Sequence, residues 1–479
     1  MRAFFDSLSA NLHGSRLALR SATSQLTYAE LCERVRAHAK WARCLPDRVG
    51  LLFSKSPDQI VCDLSLSFAG KELVPLPDFF SDSQLSHIIS AARLSDAVVD
   101  SNNLERARRL GVRVHAMSAE ASASDTPATD ASRIIFTSGT TGTPKGVRLR
   151  SPQMLASVGA LAEASAATSS DRYLSVLPNA LLLEQIAGIY LPLSLGAEIC
   201  IAGGTGMLPS TLGAALASAV ERTKPTATVL VPEFLEAWLG ELQATGKRAP
   251  QSLRFVAVGG APISPTLAEA AWEQGLPVYE GYGLSECSSV VALNRPDRRR
   301  PGTVGLPLPN IGVTAEHGEI IVTGPTVMDG YLGDTPHQGP WRTGDLGYFD
   351  GDGFLVVSGR KDNVIVTAAG RNISPEWVEQ VFTANTRIKR CVVVEFEQEI
   401  VALIIPRDST LCGDPPGLSD LVKFAACELP DYAQPQRYLP MSDSEFNNLD
   451  LLTANARPRR SVAKRLVHER SSFLVRHQA

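Results

Sequence analysis

The chain has 479 residues, 44% of them hydrophobic and 20% charged, and its 46 Lys and Arg against 50 Asp and Glu leave a formal net charge of −4. That length exceeds one compact core, so two or three domains are expected. The balanced, interspersed charge excludes a dedicated nucleic-acid binder, which needs a basic field against phosphates.

The eight cysteines (Cys32, Cys44, Cys62, Cys200, Cys287, Cys391, Cys412, Cys427) stand singly with no C-x-x-C pair. This argues against a disulfide framework and a cysteine zinc site and predicts reduced, mostly buried thiols. Asp6 lies where a signal peptide needs apolar residues, and the longest apolar tract, 180–203, is broken by Glu184, Gln185 and Pro192. Neither export nor a membrane span is expected, and a cytoplasmic location follows.

In chain order, 47–54 (DRVGLLFS) predicts a buried strand, 58–70 a helix closed by Gly70, 71–77 a second strand and 82–94 a second helix. Strands alternating with helices imply an α/β fold with a doubly wound parallel sheet. Ala/Ser/Thr-rich stretches at 119–132 and 161–170 read as surface connectors. The strand pattern returns at 226–232, 253–260 and 276–283, and the arginines at 298–300 read as a solvated loop. After Gly302, short alternating strands such as 318–325 and 347–359 predict an antiparallel sheet or small barrel, with the DGDG at 350–353 as a hairpin turn.

Residues 134–150, IIFTSGTTGTPKGVRLR, read as a strand, a hydroxyl- and Gly-rich loop, and a second strand. Such a loop turns several N–H groups toward one anion, and Lys145 adds a full positive charge, which makes a polyphosphate cradle. It is not the mononucleotide P-loop, because Pro144 and Gly146 flank the lysine.

The run Thr137-Ser138-Gly139-Thr140-Thr141-Gly142-Thr143-Pro144-Lys145-Gly146 resembles the signature loop of the adenylate-forming enzymes, the superfamily of acyl-CoA synthetases, peptide-synthetase adenylation domains and luciferases. Further motifs follow in that family's order: GGAP at 259–262, YEGYGLSE at 279–286, WRTGDLG at 341–347, SGRKDNVI at 358–365, GRNISPEWVE at 370–379 and LTANARPRR at 452–460. The resemblance implies a large N-terminal AMP-binding domain, 1–360, with doubly wound sheets and a β-barrel-like part. A small mobile α+β domain, 361–479, follows it.

It also implies ATP and Mg²⁺ as cofactors. Lys145, Glu286 and Arg457 take the catalytic positions, with Glu286 the metal ligand. Thr137, Ser138, Gly139, Thr140, Thr141 and Gly142 line the phosphates. Gly260, Ala261, Pro262, Glu280, Gly281, Tyr282 and Ser285 line the adenosine, and Asp345 and Arg360 hold the ribose side. Asp362 is the implied hinge, and Gly370, Arg371 and Asn372 approach the thiol donor's channel. Leu181, Gly259 and Gly283 are assigned to the acyl pocket. Cys287 is read as packing, because no histidine accompanies it in these motifs.

The segment 177–185, LPNALLLEQ, has no Asp to face a substrate ammonium, which would be costly to bury unpaired. The expected substrate is therefore a fatty or other apolar carboxylic acid, with Glu184 structural. The acceptor is coenzyme A or the phosphopantetheine of an acyl carrier protein. Two positions depart from the family: Leu181 replaces a frequent His, and Arg457 replaces the usual Lys. An arginine fork cannot occupy an ammonium's point, so slow adenylation, or a degenerate nucleotide-binding protein with little turnover, is the rival reading. A stand-alone adenylating enzyme feeding a carrier protein is another.

Overall fold

The computed structural model describes residues 1–10, 15–118, 128, 130–137, 144–202, 211–366, 371–449, 451–452 and 458–476. The early expectations reappear as strands Arg48–Leu52 and Glu72–Pro75 and helices Pro57–Phe68 and Asp82–Ala91. Local chemistry sets their ends. Ser56 caps the amide of Gln59 with Pro57 in the first turn. Gly70 closes the same element at φ +78°, where a side chain is disfavoured.

A seven-stranded sheet runs in the order Gly330–Tyr331, Lys145–Arg150, Ser132–Thr137, Glu72–Pro75, Arg48–Leu52, Asp96–Val99, Arg113–His115. Its last five strands are parallel, and Lys145–Arg150 folds back antiparallel on Ser132–Thr137. A nine-stranded sheet has at its centre the parallel strands Val278–Leu284, Phe255–Val258, Ala227–Leu230, Arg172–Ser175 and Glu198–Ile201. One large apolar cluster, reaching from Met1 to Leu355, holds these layers together. Burial on both faces explains why the strands read as continuous apolar runs rather than alternating ones.

Beyond them, Gly312–Glu316, Glu319–Thr323, Trp341–Phe349 and Leu355–Arg360 form a four-stranded antiparallel sheet. The DGDG segment is its turn: Asp350 accepts from the amides of Asp352 and Phe354 at 3.0 and 2.9 Å. The arginines 298–300 differ from a freely solvated loop. Arg299 lies over the Trp272 ring at 4.4 Å, Arg298 and Arg300 lie over Phe354, and Arg300 pairs with Asp350 and Asp352. Planar guanidinium stacks on aromatic faces as readily as it hydrates.

The first four residues of the stretch 161–170 are helical, since Ser151–Ala164 runs through Ala162 and Ala164, which favour that state. Residues 119–127 and 129 of the other connector lie outside the described residues. The apolar tract 180–203 becomes a π-helical segment Glu184–Tyr190, a short helix Leu191–Leu195 and a strand Glu198–Ile201. The π turn turns polar side chains inward. Glu184 accepts the Tyr173 hydroxyl at 2.9 Å and that of Ser175. Buried Arg133 bonds Asp63 at 2.6 Å, Gln185 at 2.9 Å and the Tyr190 hydroxyl.

The last described part carries a separate sheet, Ile388–Phe396, Glu399–Pro406, Arg437–Pro440 and Val475–Arg476. Alternate residues of Glu399–Pro406 feed two cores. Ile400, Ala402 and Ile404 pack with helices Pro375–Ala384 and Pro415–Ala426, while Val401, Leu403 and Ile405 pack under helix Arg460–Glu469. This part meets the rest through Arg390, which pairs with Glu233 at 3.0 Å on helix Pro232–Thr245, and through Arg407 near Glu236.

Candidate active site

Thr137 and Lys145 are register partners at the open end of the Ser132–Thr137 and Lys145–Arg150 pair, so the Gly-rich loop springs from two adjacent strands. Ser138, Gly139, Thr140, Thr141 and Gly142 lie outside the described residues. Lys145 is exposed, and its Nζ stands 5.2 Å from the centre of the Tyr331 ring.

Strand Val278–Leu284 carries the next group. Glu280 and Tyr282, two residues apart, point to one face. The Tyr282 hydroxyl donates to Asp345 Oδ2 at 2.5 Å, and Arg360 Nη1 donates to Asp345 Oδ1 at 2.8 Å. Asp345 is buried and opposes Arg360 in the hairpin register. Burial, reinforced by the Asp345 carboxylate, holds the Tyr282 phenol protonated.

Glu280 is buried, its Oε1 accepting from the Ile263 amide at 3.5 Å beside Gly260, Ala261 and Pro262, and its Oε2 has no hydrogen-bond partner among the described residues. Burial pushes its carboxyl up to about 8. An orphaned buried carboxyl beside this turn suits the polar edge of a nucleobase.

The strand runs into the 3₁₀ turn Ser285–Cys287, where half-buried Glu286 accepts the Tyr331 hydroxyl on Oε1 at 2.9 Å. Ser288 and Ser289 then reverse the chain at φ +55° and +90°. Cys287 is fully buried and its thiol is pushed well above its ordinary range by burial, which suits packing and not nucleophilic attack. All eight cysteines are free.

Other assigned positions are scattered. A Cβ on Gly283 would stand 1.7 Å from the Ser289 carbonyl oxygen, so the hairpin's close approach requires glycine there. Gly259 approaches the Gly281 carbonyl instead, and Leu181 packs half-buried on the main core. Asp362 is exposed in the turn Lys361–Asn363. Arg371 covers the Tyr432 ring at 4.5 Å, and Asn372 starts strand Asn372–Ile373. Gly370 and Arg457 lie outside the described residues. Three positions after Arg457, half-buried Arg460 pairs with Glu379 at 2.5 Å and Glu376 at 2.8 Å.

Tyr331 went unread in the sequence. Its segment, DGYLGD, looks like any Gly-rich turn, and only the pairing of Gly330–Tyr331 with Lys145–Arg150 brings it between Lys145 and Glu286.

Glu286 fits Mg²⁺ as a hard oxygen donor, and the Thr137 to Lys145 junction with the Tyr282, Asp345 and Arg360 cluster fits the phosphate and ribose parts of ATP. Residues 7–332 match the family described as AMP-binding enzyme. The chain is 32% identical over 327 residues to a 2-succinylbenzoate–CoA ligase of Bacillus licheniformis, covering 64% of this chain and 66% of that one. With a long-chain-fatty-acid–CoA ligase of Mycobacterium bovis it shares 27% over 477 residues, covering 80% and 78%. The fold matches o-succinylbenzoate CoA synthetase from Bacillus subtilis, a structure that holds an acyl-adenylate intermediate, at a TM-score of 0.83 and 24% identity over 97% of this chain and 98% of that one. It also matches the anthranilate CoA ligase AuaEII at 0.84 and 18% over 98% of each. With the family matched over more than half its length, this chain belongs to the AMP-binding enzymes and is an AMP-forming ligase that uses ATP and Mg²⁺.

Proposed function

We propose that the chain activates a carboxylic acid with an apolar body as its acyl-adenylate and passes the acyl group to the thiol of coenzyme A. The observation that carries this reading is the clustering of the ATP-directed groups around one strand end: Glu280, Tyr282 and Glu286 leave Val278–Leu284 in sequence, and Tyr331 and Asp345 tie them to Lys145 and Arg360. Ligands gather at the carboxyl ends of parallel strands in such sheets.

In this reading the acid's carboxylate oxygen bonds to the α-phosphorus as the bond to pyrophosphate breaks. Lys145 and the hydroxyls of Thr137, Ser138, Thr140 and Thr141 are assigned to the departing negative charge, and Mg²⁺ held by Glu286 would supply further neutralisation. Asp345, held by Arg360 and Tyr282, faces the ribose hydroxyls, and Arg457 takes the position near the reacting carboxylate. The thiol sulfur then displaces AMP, with Gly370, Arg371 and Asn372 beside its approach. We place the boundary between the two domains after residue 360, with Asp362 as pivot. The apolar substrate is supported by Glu184, which is fully buried and has each carboxylate oxygen engaged by a core hydroxyl, Tyr173 on one and Ser175 on the other, so its placement is that of a structural group. No described helix is long and apolar enough to cross a membrane. The eight free cysteines support a reducing cytoplasm.

The test is acid-dependent exchange of labelled pyrophosphate into ATP across a panel of fatty, aryl and amino acids, followed by thioester detection with coenzyme A and with a phosphopantetheinyl carrier. Exchange with apolar acids and thioester on coenzyme A is expected. ATP binding without exchange for any acid would leave only a nucleotide-binding role.

A further inference from the structure

The segment 328–332 touches both charge-bearing groups of the site. The Met328 amide donates to the Glu286 carbonyl at 2.8 Å, which fixes that residue's backbone. Three residues on, the Tyr331 hydroxyl donates to Glu286 Oε1 at 2.9 Å, which fixes its side chain. The same segment is stitched to the strand bearing Lys145. Asp329 N donates to the Arg148 carbonyl at 3.0 Å, Tyr331 pairs in register with Val147, and Leu332 N donates to the Gly146 carbonyl at 2.7 Å. Arg150 grips both oxygens of Asp329 at 2.6 and 2.8 Å. Edge-on contact with Trp341, ring centres 5.8 Å apart, sets the plane of the Tyr331 ring, and Lys145 Nζ lies over it at 5.2 Å.

We propose that Tyr331 is a positioning residue for adenylation: its hydroxyl aims the Glu286 carboxylate at the metal, and its ring holds the Lys145 ammonium at a fixed separation from that carboxylate. This rests on the assignment of Glu286 and Lys145 to the Mg²⁺ and phosphate positions. The physical case is economy of motion. Glu286 leaves a half-buried turn on one sheet and Lys145 an exposed strand end on another, so without a shared strut each would reorganise separately as charge develops on pyrophosphate, and pre-set dipoles and charges are what such a site relies on. One Tyr supplies an O–H donor for the anion and a π face for the cation.

The two contacts separate genetically. Tyr331→Phe keeps the ring and removes the hydroxyl, while Tyr331→Leu removes both. Binding of ATP is measured by titration calorimetry without acid, with and without Mg²⁺, well below each variant's melting temperature, and exchange rates are measured alongside. In Tyr331→Phe the Mg²⁺ concentration for half-maximal tightening of ATP binding is expected to rise about tenfold, the order of one charge-assisted hydrogen bond, with metal-free ATP affinity unchanged. Tyr331→Leu is expected to lose metal-free affinity as well, through Lys145. Glu286→Gln serves as the reference. If it raises the Mg²⁺ requirement while Tyr331→Phe leaves it unchanged or lower, the positioning role is overturned. If Glu286→Gln itself leaves the requirement unchanged, the metal assignment falls first and this inference with it. Loss of affinity in Tyr331→Phe equal with and without metal would mark a purely structural tyrosine and also overturn the proposal.

Discussion

Asp345 and Arg360 stand opposite each other in one hairpin, and the carboxylate divides its two oxygens: Oδ1 takes Arg360 at 2.8 Å and Oδ2 takes the Tyr282 hydroxyl at 2.5 Å. Asp345→Ala is therefore expected to act twice, removing the group assigned to the ribose and releasing the two side chains that flank it. The Michaelis constant for ATP should rise tenfold or more, by roughly one or two charge-assisted hydrogen bonds, with a smaller change in kcat. Steady-state kinetics decide it, and an unchanged ATP Michaelis constant would remove Asp345 from the site.

Lys145→Ala and Glu286→Ala each delete a charge that the proposed function assigns to the departing pyrophosphate. A fall of ~10²–10³ in the exchange rate is expected for each, the usual cost of losing one aimed electrostatic stabiliser. Near-parental exchange in either variant would refute the assignment of that residue.

Glu280 makes stability depend on pH. Its folded carboxyl titrates at about 8 against an ordinary 4.5, so the folded chain holds a proton that the unfolded chain releases. The contribution is fully present below about 4.5 and is lost as pH rises through about 8, amounting to as much as ~5 kcal/mol. Glu280→Gln should flatten the decline of melting temperature across that window. Parallel curves for the two proteins would show that the carboxyl is already ionised in the folded state.

The pivot assigned to Asp362 predicts a split between half-reactions. Proline fixes φ near −65° and removes a donor, and domain closures concentrate backbone change in a few connector residues. Asp362→Pro should leave pyrophosphate exchange largely intact and cut acyl transfer from preformed adenylate at least tenfold. Equal effects on both steps would return Asp362 to an ordinary turn residue.

Arg457 is probed in reverse. Arg457→Lys is expected to keep or raise the exchange rate, because an ammonium restores the group this family usually carries there. A tenfold fall would show a site rebuilt around guanidinium.

The sheets were legible because their strands are buried on both faces and written as apolar runs between turn residues, as at 48–52, 227–230 and 255–258. The grouping of Glu280, Tyr282 and Glu286 was legible because they sit close in sequence on and just beyond one strand. What stayed hidden depended on distance along the chain. Tyr331 meets Glu286 across 45 positions, and Arg133 meets Asp63 across 70. The tract 180–203 concealed a π-helical segment because hydrophobicity gives no sign of an extra residue in one turn, whereas the buried partners of Glu184, Gln185 and Tyr190 require it. The close backbone approach at Gly283 was not legible either, because spacing cannot distinguish a glycine that makes room for a ligand from one that makes room for backbone.

Arg133 lies four residues before Thr137, buried with Asp63, Gln185 and Tyr190 around its guanidinium. Neither charge of that pair can be lost alone without stranding the other away from water, at a cost of ~3–5 kcal/mol, a large share of a typical protein's total margin. Evolutionary drift at these positions is therefore closed to single steps and open only to paired exchange. The strand that leads to Thr137 is held in sequence space by this buried network.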